Sequence, residues 1–359
     1  MKDSLLFATA LDDLALIEIA GADALSFLHS QLTQDVANLP ENTARLAGYC
    51  TPKGRLLGTL VLWHAGTAES PIVHALVKAD IADALIKRLS MYVLRAKAKL
   101  RRTTLRACGI AISRGVAAVS SNTDEAAASR PQAFASDLDS LPAHPAAWSV
   151  VHAATGAWIA APCADSGIDR WWYVAHDTSS GLPAAGAATQ QAADGSAMGL
   201  EESAQGPGNA FWQAGDIAAG LPWVVAATQD VFIPQTLNLD LIDGVSFSKG
   251  CYPGQEVVAR SHYRGTVKRR MAYGLASTPS TTAASGLPGL DIYDSLHPDN
   301  PCGRVINAAG DDNAAANGKM HLLLEIQLSD LGSAAFRLGQ ADGPAIELQA
   351  LPYEIKAGD

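Results

Sequence analysis

Residues Phe247–Arg260 read FSKGCYPGQEVVAR, and this stretch is the most informative in the chain. Lys249 and Cys251 lie on either side of Gly250, which has no Cβ atom and leaves the backbone free to turn. The following Pro253-Gly254 pair also favours a turn. The stretch therefore predicts a tight loop that holds a thiol and an ammonium group close together.

A helix is expected to begin near Gln255 and to carry Glu256 and Arg260. Cys251 would then lie just before a helix N-terminus, where the helix dipole and a neighbouring lysine both favour the thiolate. A thiolate is nucleophilic, binds metals and takes part in redox exchange. The Gln255 amide and the Glu256 carboxylate could pair with the donors and acceptors of a heterocycle. The alternative is structural, because most lone cysteines are small buried apolar residues and a turn before a helix explains the Gly and Pro.

The composition is that of a folded globular protein. The chain has 359 residues, of which 48% are hydrophobic, 17% charged and 6% aromatic. These values exclude wholesale disorder, collagen and a coiled coil, and the length predicts two or three domains. The net charge of −10 indicates that the surface as a whole does not attract polyanions, although a local basic patch is compatible with it.

The cysteines and histidines favour neither disulfides nor a metal site. The cysteines are Cys50, Cys108, Cys163, Cys251 and Cys302. Their odd number and wide spacing argue against a disulfide framework or a tetracysteine zinc site, and no two histidines have metal-ligand spacing. We expect reduced thiols. Acidic residues interrupt the N-terminus before an apolar run of signal-peptide length, and three prolines fall in the longest uncharged stretch, Leu141–Ala164. A cytoplasmic protein without membrane contact is the expectation.

Apolar periodicity predicts an α+β fold. The expected strands near the N-terminus are Ala15–Ala20, Leu56–Trp63 and Ile72–Val77, with helices after Asp23 and Asp80. Leu94–Arg101 alternates apolar and basic residues, which is typical of a half-buried strand with a cationic face. Ser120–Pro145 and Thr178–Ala210 have the composition of loops or linkers. From Met271 onward, several short apolar runs separated by turn residues predict a small β-barrel or sandwich.

Two stretches concentrate positive charge. The first contains Lys87, Arg88, Arg95, Lys97, Lys99, Arg101, Arg102 and Arg106, and the second contains Arg260, His262, Arg264, Lys268, Arg269 and Arg270. One interpretation is a surface for a polyanion, such as RNA or a polyglutamyl tail. The other is a solvated strand face with an inter-domain layer of salt bridges. No RNA-binding motif accompanies these stretches. Direct contact with tRNA, which the first interpretation would allow, is therefore not favoured.

The octapeptide KGCYPGQE, Lys249–Glu256, followed by Arg260, resembles the signature of the YgfZ-type folate-binding proteins, which are relatives of the glycine cleavage T-protein. Other stretches resemble the same family in the same order. They are Phe27–Leu39 (FLHSQLTQDVANL), Gly48–Thr59 (GYCTPKGRLLGT), Gly220-Leu221-Pro222 and Phe232–Leu241 (FIPQTLNLDL). These stretches are distributed along the chain, and the resemblance spans most of it from residue 15 to 270.

The resemblance implies the T-protein fold, an α+β cloverleaf of three domains around a central folate cavity. The expected domains are 1–120, an α+β unit; 145–260, a second α+β unit that carries the KGCYPGQE motif; and 265–359, a β-barrel. The implied cofactor is tetrahydrofolate or a folate derivative, bound in the central cavity.

The resemblance also implies a function. Proteins of this family support the assembly or repair of iron–sulfur enzymes, including enzymes that methylthiolate tRNA, so the expected partners are folate and iron–sulfur proteins or their assembly machinery. Cys251 and Lys249 would carry the activity. The expected folate contacts are Gln235, Asn238, Lys249, Tyr252, Gln255, Glu256 and Arg260.

One departure argues against the reaction of the true aminomethyltransferases. In those enzymes the stretch matching Gly54–Leu60 resembles G-G-I-x-D-D-L, and its aspartate pair includes the carboxylate that assists at the folate nitrogen. Here Gly58 and Thr59 occupy the two positions. Neither side chain can act as a general acid or base, or stabilise an iminium-like cation. A tetrahydrofolate-dependent aminomethyltransferase is therefore the less favoured alternative function, and a plain interaction scaffold with a vestigial folate cavity is a third.

Overall fold

A computed structural model describes residues 4–67, 69–113, 132–176, 207–265, 267–277, 283–310 and 318–355. The strands are β1 (Ser4–Ala10), β2 (Leu14–Ala20), β3 (Arg45–Cys50), β4 (Leu56–His64), β5 (Ile72–Lys78), β6 (Lys99–Arg102), β7 (Ala107–Ser113), β8 (Val150–His152), β9 (Gly156–Ala161), β10 (Ile168–Ala175), β11 (Arg269–Ser277), β12 (Asp291–Asp294), β13 (His297–Gly310), β14 (Lys319–Gln327), β15 (Phe336–Leu338) and β16 (Ile346–Gln349). The helices are α1 (Ala24–Gln31), α2 (Ala79–Ser90), α3 (Gln132–Ser140), α4 (Pro207–Ala218) and α5 (Gln255–Tyr263). The fold is α+β, as the sequence predicts.

The strands form three antiparallel sheets. The first has the order β3-β4-β5-β2-β6, and the second has the order β1-β7-β10-β9-β8. The third has the order β15-β12-β13-β14-β11-β16. A backbone bridge between Arg337 of β15 and Ala345, the residue before β16, joins the two ends of the third sheet. The third sheet therefore curls into the barrel-like form that the spacing of its short strands predicts.

Helices α1 and α2 cover one face of the first sheet. The spacing of Ile81, Leu85 and Leu89 places all three on one side of α2, and all three are buried. They belong to an apolar core with residues of α1 and of β2, such as Leu28 and Ile17. This packing holds the C-terminal end of α1 in position, and that end forms one wall of the site described below.

A second core lies where the three sheets meet. It contains Leu16 of the first sheet, Trp172 of the second and Leu323 of the third, together with Trp223 and Leu237. The last two belong to residues 219–254, which form turns and one 3₁₀ helix (Ala226–Thr228) rather than a strand or α-helix. This irregular stretch therefore fills the space between the sheets.

Several local predictions are confirmed with small changes in their bounds. The strands expected at Ala15–Ala20, Leu56–Trp63 and Ile72–Val77 are β2, β4 and β5. The C-terminal apolar runs lie in β11, β13, β14, β15 and β16. Between residues 148 and 161 the chain forms two strands, β8 and β9, that pair as a hairpin. Asp80 lies in the first turn of α2 rather than before it.

Two other local predictions are wrong. Leu94–Arg101 is not a strand throughout, because pairing with β2 begins only at Lys99 and the Leu94 side chain is 86% exposed. The part of Ser120–Pro145 that the structure describes contains helix α3 rather than a loop alone, and residues 207–210, at the end of the second expected linker, begin α4. Their small and polar composition hid the helical tendency of these segments. The remainder of both segments lies outside the described residues.

The second sheet combines chain from both sides of a long connection. Its strands β1 and β7 come from the first third of the chain and pair with each other, and β7 also pairs with β10, which comes from the middle. The domain bounds at 120, 145, 260 and 265 stay predictions. Within the described ranges, no helix is both long and apolar enough to cross a membrane.

Candidate functional site

The loop that carries the cysteine, called here the KGC loop (residues Phe247–Gly254), leads directly into α5. Helix α5 begins at Gln255, as predicted, and Gly254 precedes it with a φ of 84°. This left-handed conformation is accessible to glycine at little cost. Cys251 is exposed at the surface, whereas Cys50 and Cys108 are buried. The KGC loop therefore presents its thiol to solvent, just before a helix N-terminus.

Lys249 holds the KGC loop against the end of α1. Its side chain is buried, with 8% exposure, and its Nζ donates hydrogen bonds to the backbone oxygens of His29 and Leu32, the second at 2.7 Å. These carbonyls lie in the last turn of α1, where a cation is favourable. Burial lowers the pKa of Lys249 to about 8. Its Nζ also lies 4.8 Å from the centre of the Tyr252 ring.

The start of α5 packs on the turn between β3 and β4. A Cβ atom added at Gly254 would lie 2.4 Å from the backbone oxygen of Thr51 and 2.7 Å from the Cα of Gly54. Gly54, with a φ of 73°, lies in turn against the Val257 side chain. Two of the sequence stretches that resemble the family, Gly48–Thr59 and Lys249–Glu256, are thus in backbone contact.

Thr33, just after α1, links the chain there to β3 and to the residues that precede the KGC loop. Its buried Oγ1 donates to the backbone oxygen of Gly244 at 2.6 Å and accepts from the backbone nitrogen of Gly48 at 2.7 Å. Its backbone oxygen accepts from the nitrogen of Ser246 at 2.9 Å. The residue lies in the stretch FLHSQLTQDVANL, so the resemblance could have pointed to it. The hydroxyl explains why a polar residue sits at a fully buried position.

Gln235 and Asn238 use their side-chain amides on the backbone of neighbouring elements. Gln235 Nε2 donates to the oxygen of Val258 in α5 at 2.7 Å, and Asn238 Nδ2 donates to the oxygen of Met271 in β11 at 2.8 Å. Both residues are fully buried. Gln235 Oε1 is buried without a hydrogen-bond partner in the described part of the chain. The amides therefore fasten the irregular stretch to α5 and to the third sheet.

The other predicted site residues lie around α5. Tyr252 is buried, and burial raises the pKa of its phenol. Gln255 is half-buried, whereas Glu256 and Arg260 are exposed. On the same helix His262 stacks on Phe247 of the KGC loop, with ring centres 3.7 Å apart and an interplanar angle of 14°. This stack gives His262 a packing role between α5 and the KGC loop.

A cavity of about 520 Å³ lies where the first sheet, α4 and the third sheet meet, and none of the predicted site residues lines it. Its polar lining includes Asp13, Lys78 and Asp216, and Trp223 forms part of its wall. Asp13 and Lys78 form an ion pair. The Lys78 Nζ also lies 5.6 Å from the centre of the Trp223 ring. These lining residues were missed because they come from distant parts of the chain. Trp223 and Leu221 had a signal, since Leu221 lies in the Gly220-Leu221-Pro222 stretch and Trp223 follows it.

A buried network supports the wall of this cavity. The Asp216 carboxylate accepts from Arg170 Nη2 at 2.7 Å and from the indole nitrogen of Trp223 at 2.9 Å. Burial raises the pKa of Asp216, although the Arg170 guanidinium opposes the change. Asn307 of β13 bonds both the nitrogen and the oxygen of Trp223, at 2.9 and 2.8 Å. Trp223 is therefore held by the second and third sheets at once.

The two positions at which the aminomethyltransferases carry aspartates lie beside the stretch that contains Trp223. Thr59 is fully buried, and its Oγ1 accepts from the backbone nitrogen of Val224 at 3.0 Å. A Cβ atom added at Gly58 would lie 2.8 Å from the Cδ1 of Leu85, so a side chain there requires Leu85 to move. Both positions thus serve packing and backbone pairing in this chain.

Part of the first basic stretch is neutralised by ion pairs. Arg101 pairs with Glu18, Arg102 with Asp83 and Arg106 with Asp12. All three pairs join residues within the predicted domain 1–120, so these cations form local salt bridges and not the expected inter-domain layer. Among the residues that the structure describes, no group of three or more His, Cys, Asp or Glu side chains is placed to hold a metal ion.

Comparisons with known proteins agree on one family, although no family model matches the chain. The chain is 33% identical over 279 residues to the tRNA-modifying protein YgfZ of Sodalis glossinidius, which covers 77% of this chain and 73% of the relative. It is 30% identical over 351 residues to the protein of the same name from Pectobacterium carotovorum, with 96% and 91% covered.

The fold is also similar to that of a solved structure, the glycine cleavage system aminomethyltransferase T from Bartonella henselae. The TM-score is 0.60 at 14% sequence identity, and the match covers 96% of this chain and 85% of the other. The T-protein-like fold implied by the KGCYPGQE motif is thereby confirmed.

Proposed function

Because this chain belongs to the family of YgfZ tRNA-modifying proteins, we propose that it is a folate-binding accessory protein that supports iron–sulfur enzymes, including enzymes that methylthiolate tRNA. The observation that carries the proposal is the exposed thiol of Cys251 on a loop held by buried contacts. A fixed loop with a free thiol can meet a partner protein without rearranging. The proposed place of action is the cytoplasm.

The 520 Å³ cavity fits a reduced folate. Its volume is within the range of roughly 300–1,000 Å³ that is typical of small-molecule sites. The carboxylates of Asp13 and Asp216 offer acceptor oxygens for the amino and ring N–H groups of a pterin, and Trp223, Ile217 and Leu221 offer aromatic and apolar wall. When bound, tetrahydrofolate would serve as a carrier of one-carbon groups and as a reductant. We assign its pterin ring to this cavity.

The predicted folate contacts near α5 have a different place in the proposal. Gln235, Asn238 and Lys249 hold the irregular stretch and the KGC loop in position. Gln255, Glu256 and Arg260 lie at the accessible side of α5, where they would contact the rest of the folate or the partner protein. Tyr252, beneath the Lys249 ammonium, would fix the backbone on both sides of the cysteine.

We propose that the Cys251 thiolate acts on the partner protein as a transient iron ligand or in sulfur exchange. For ligation, the thiol releases its proton to solvent and its sulfur donates an electron pair to iron. Lys249 keeps the loop closed, and its positive charge lies within electrostatic reach of the thiol. Since the ammonium is bonded to α1, it stays in place when Cys251 gains or loses its partner.

The alternative function, aminomethyl transfer to folate, is disfavoured by the Gly58 and Thr59 positions. The Thr59 hydroxyl is engaged with Val224, and Gly58 is packed beneath Leu85. Without a carboxylate at either position, this chain lacks the group that assists at the folate nitrogen in those enzymes. Formation of methylenetetrahydrofolate from an aminomethyl-lipoyl carrier by the purified chain would restore this alternative.

Calorimetric titration with tetrahydrofolate tests the folate part of the proposal. We expect saturable binding, and we expect Ala227→Trp, which places a large ring at an exposed position of the cavity wall, to weaken it. Ala146→Trp, at an exposed position away from the cavity, is the matched control. If the ligand fails to bind at millimolar concentration, or both variants lose binding equally, the cavity assignment is wrong.

Complementation tests the cysteine. In cells that lack the native gene, Cys251→Ala should fail to restore methylthiolated tRNA, whereas Cys163→Ala, which removes a half-buried thiol, should restore it. Folate binding by purified Cys251→Ala should be unchanged, since Cys251 does not line the cavity. Full restoration by Cys251→Ala would show that this thiol has no part in the activity.

A further inference from the structure

A second cleft of about 400 Å³ lies between the first and second sheets, away from both the KGC loop and the proposed folate cavity. We call it the histidine cleft. Its polar lining consists of Glu18, His74, Arg101, Thr103, Thr104, His152 and His176. The apolar part of its wall includes Trp63, Leu105 and Val174. No lining residue is shared with the 520 Å³ cavity. The two sites are therefore separate.

Backbone contacts orient two of the three imidazole rings. His152 Nε2 lies 3.1 Å from the backbone oxygen of Glu41, and His176 Nε2 lies 3.0 Å from that of Ala153. Because a carbonyl only accepts hydrogen bonds, Nε2 carries the proton in both rings. Each ring keeps Nδ1 for another partner. A proton taken up at Nδ1 would make each ring a cation with a donor in a fixed orientation.

The remaining charged groups of the cleft balance each other. Arg101 forms two hydrogen bonds with the Glu18 carboxylate, at 2.8 and 2.9 Å, and His74 Nε2 lies 3.7 Å from the same carboxylate. Burial lowers the pKa of His74, although Glu18 opposes the change. The guanidinium has five N–H donors, so Arg101 keeps donors for a further acceptor. Two threonine hydroxyls add neutral donors at the same wall.

We propose that the histidine cleft binds a phosphate monoester with an apolar or aromatic body, and that the bound phosphate contacts His152, His176 and Arg101. Imidazolium, guanidinium and hydroxyl groups are the side chains that pair with phosphate oxygens. The cleft is much larger than a bare phosphate, and Ala65, Ile72 and Leu105, which line it and are exposed or half-buried, provide an apolar wall for the rest of the ligand.

Proton linkage follows from the orientation of the two rings. A neutral imidazole whose Nε2–H is bonded to a carbonyl presents only an acceptor at Nδ1, which an oxygen of a fully deprotonated phosphate would not contact. Binding is therefore coupled to proton uptake from solvent at the Nδ1 of His152 and His176. The charged and titratable groups that line the cleft are Glu18 from β2, His74 from β5, Arg101 from β6, His152 from β8 and His176 after β10.

Titration calorimetry of the full chain with inorganic phosphate and with adenosine 5′-monophosphate tests the proposal. We expect the mononucleotide to bind more tightly than phosphate, because only the mononucleotide contacts the apolar wall. Binding should strengthen from about pH 8 to about pH 6, and the heat should depend on the ionisation enthalpy of the buffer. No binding of either probe at about pH 6 would overturn the proposal. Equal affinity for the two probes would overturn the assignment of an organic body and leave free phosphate as the ligand.

Substitutions of different residues of the cleft should change the affinity for the mononucleotide in opposite directions. His152→Gln and His176→Gln should each weaken binding by roughly tenfold. Glu18→Gln should strengthen it, because Arg101 loses its competing carboxylate, and a merely structural effect would not do so. His64→Gln is the matched control, since His64 Nε2 also lies against a carbonyl, that of Leu39 at 2.8 Å, but does not line the cleft. Equal loss in His64→Gln, or weaker binding in a folded Glu18→Gln variant, would contradict the site. Tetrahydrofolate binding should not change in any of them.

Discussion

Cys251 differs from the other four cysteines in its surroundings. Burial raises the pKa of Cys50 and of Cys108 to about 12, and that of Cys302 to about 11. The pKa of Cys163 is also raised by burial. Only the thiolate reacts with alkylating agents, and it must be accessible to do so. Burial disfavours the thiolate at the other four positions, whereas Cys251 is exposed and meets the second condition.

We therefore predict that Cys251 is the first cysteine of the folded protein to be alkylated. With limiting iodoacetamide below about pH 8, peptide mass spectrometry should show Cys251 modified before any other cysteine. The unfolded protein is the control, because all five thiols are then exposed and should react at similar rates. Earlier modification of Cys163 or Cys302 in the folded state would contradict the expected exposure and environment of Cys251.

Lys249 gives a pH-dependent prediction. Its pKa is lowered from 10.5 to about 8 in the folded protein. Between these values the unfolded chain binds a proton that the folded protein has released, so the free energy of unfolding rises with pH across this window. Below the window both states are protonated, and the contribution of Lys249 is constant.

The comparison with Lys249→Met isolates this effect. The variant leaves the carbonyls of His29 and Leu32 without their donor, so we expect it to be less stable than the wild type by about 1–3 kcal/mol near pH 7. The difference should grow between about pH 7 and about pH 9.5 in urea denaturation. Lys53→Met, at an exposed position, should show neither effect. A difference that shrinks as the pH rises would contradict the lowered pKa.

At the scale of elements, the contact between α5 and the β3–β4 turn positions the KGC loop. Gly254 combines a φ of 84° with a backbone oxygen 2.4 Å from where a Cβ atom would lie. Neither Thr51 nor Gly54 can move this backbone out of the way without opening the hairpin turn. Gly254, the second glycine of the KGCYPGQE motif, is therefore required by backbone packing, whatever the chemistry of the cysteine.

Gly254→Ala should consequently destabilise the protein by about 2 kcal/mol or more. Gly286→Ala is a matched control, because no atom lies within 4 Å of a Cβ added there. We expect the control to change the free energy of unfolding by less than about 0.5 kcal/mol. Thermal and chemical denaturation of the two variants measure the difference. Equal stability of the two would show that the hairpin turn yields easily.

Elements with strong local patterns could be predicted from the sequence, and elements defined by distant contacts could not. The periodicity of Ile81, Leu85 and Leu89 identifies α2, and the Pro-Gly pair identifies the start of α5. The irregular stretch around Phe232–Leu241 has no helical or strand period in its apolar residues, because its buried side chains pack in the core between three different sheets. The pairing of Lys249 with α1 was equally hidden, since 217 residues separate it from the Leu32 carbonyl. The motif located the loop and the cysteine, but not what holds them.

At the scale of the whole molecule, the three sheets share one apolar core, and a buried polar network links the second sheet to the third. Arg170 of the second sheet, Asp216 of α4 and Trp223 of the irregular stretch are linked by hydrogen bonds at the wall of the 520 Å³ cavity. Asn307 of the third sheet bonds the backbone of Trp223. The shape of the proposed folate cavity thus depends on the contacts that hold the sheets together.

The Asp216→Asn variant tests this dependence. The Arg170 side chain is 6% exposed, so removing its counter-charge leaves a cation buried and uncompensated, which costs about 3 kcal/mol. Asp83→Asn removes the carboxylate of the exposed Arg102–Asp83 pair and should change stability by less than about 1 kcal/mol. Urea denaturation measures both variants. If Asp216→Asn unfolds like the wild type while folate binding is lost, Asp216 serves the ligand rather than the junction. If stability falls and the remaining folded protein still binds folate, the network joins the sheets without contacting the pterin.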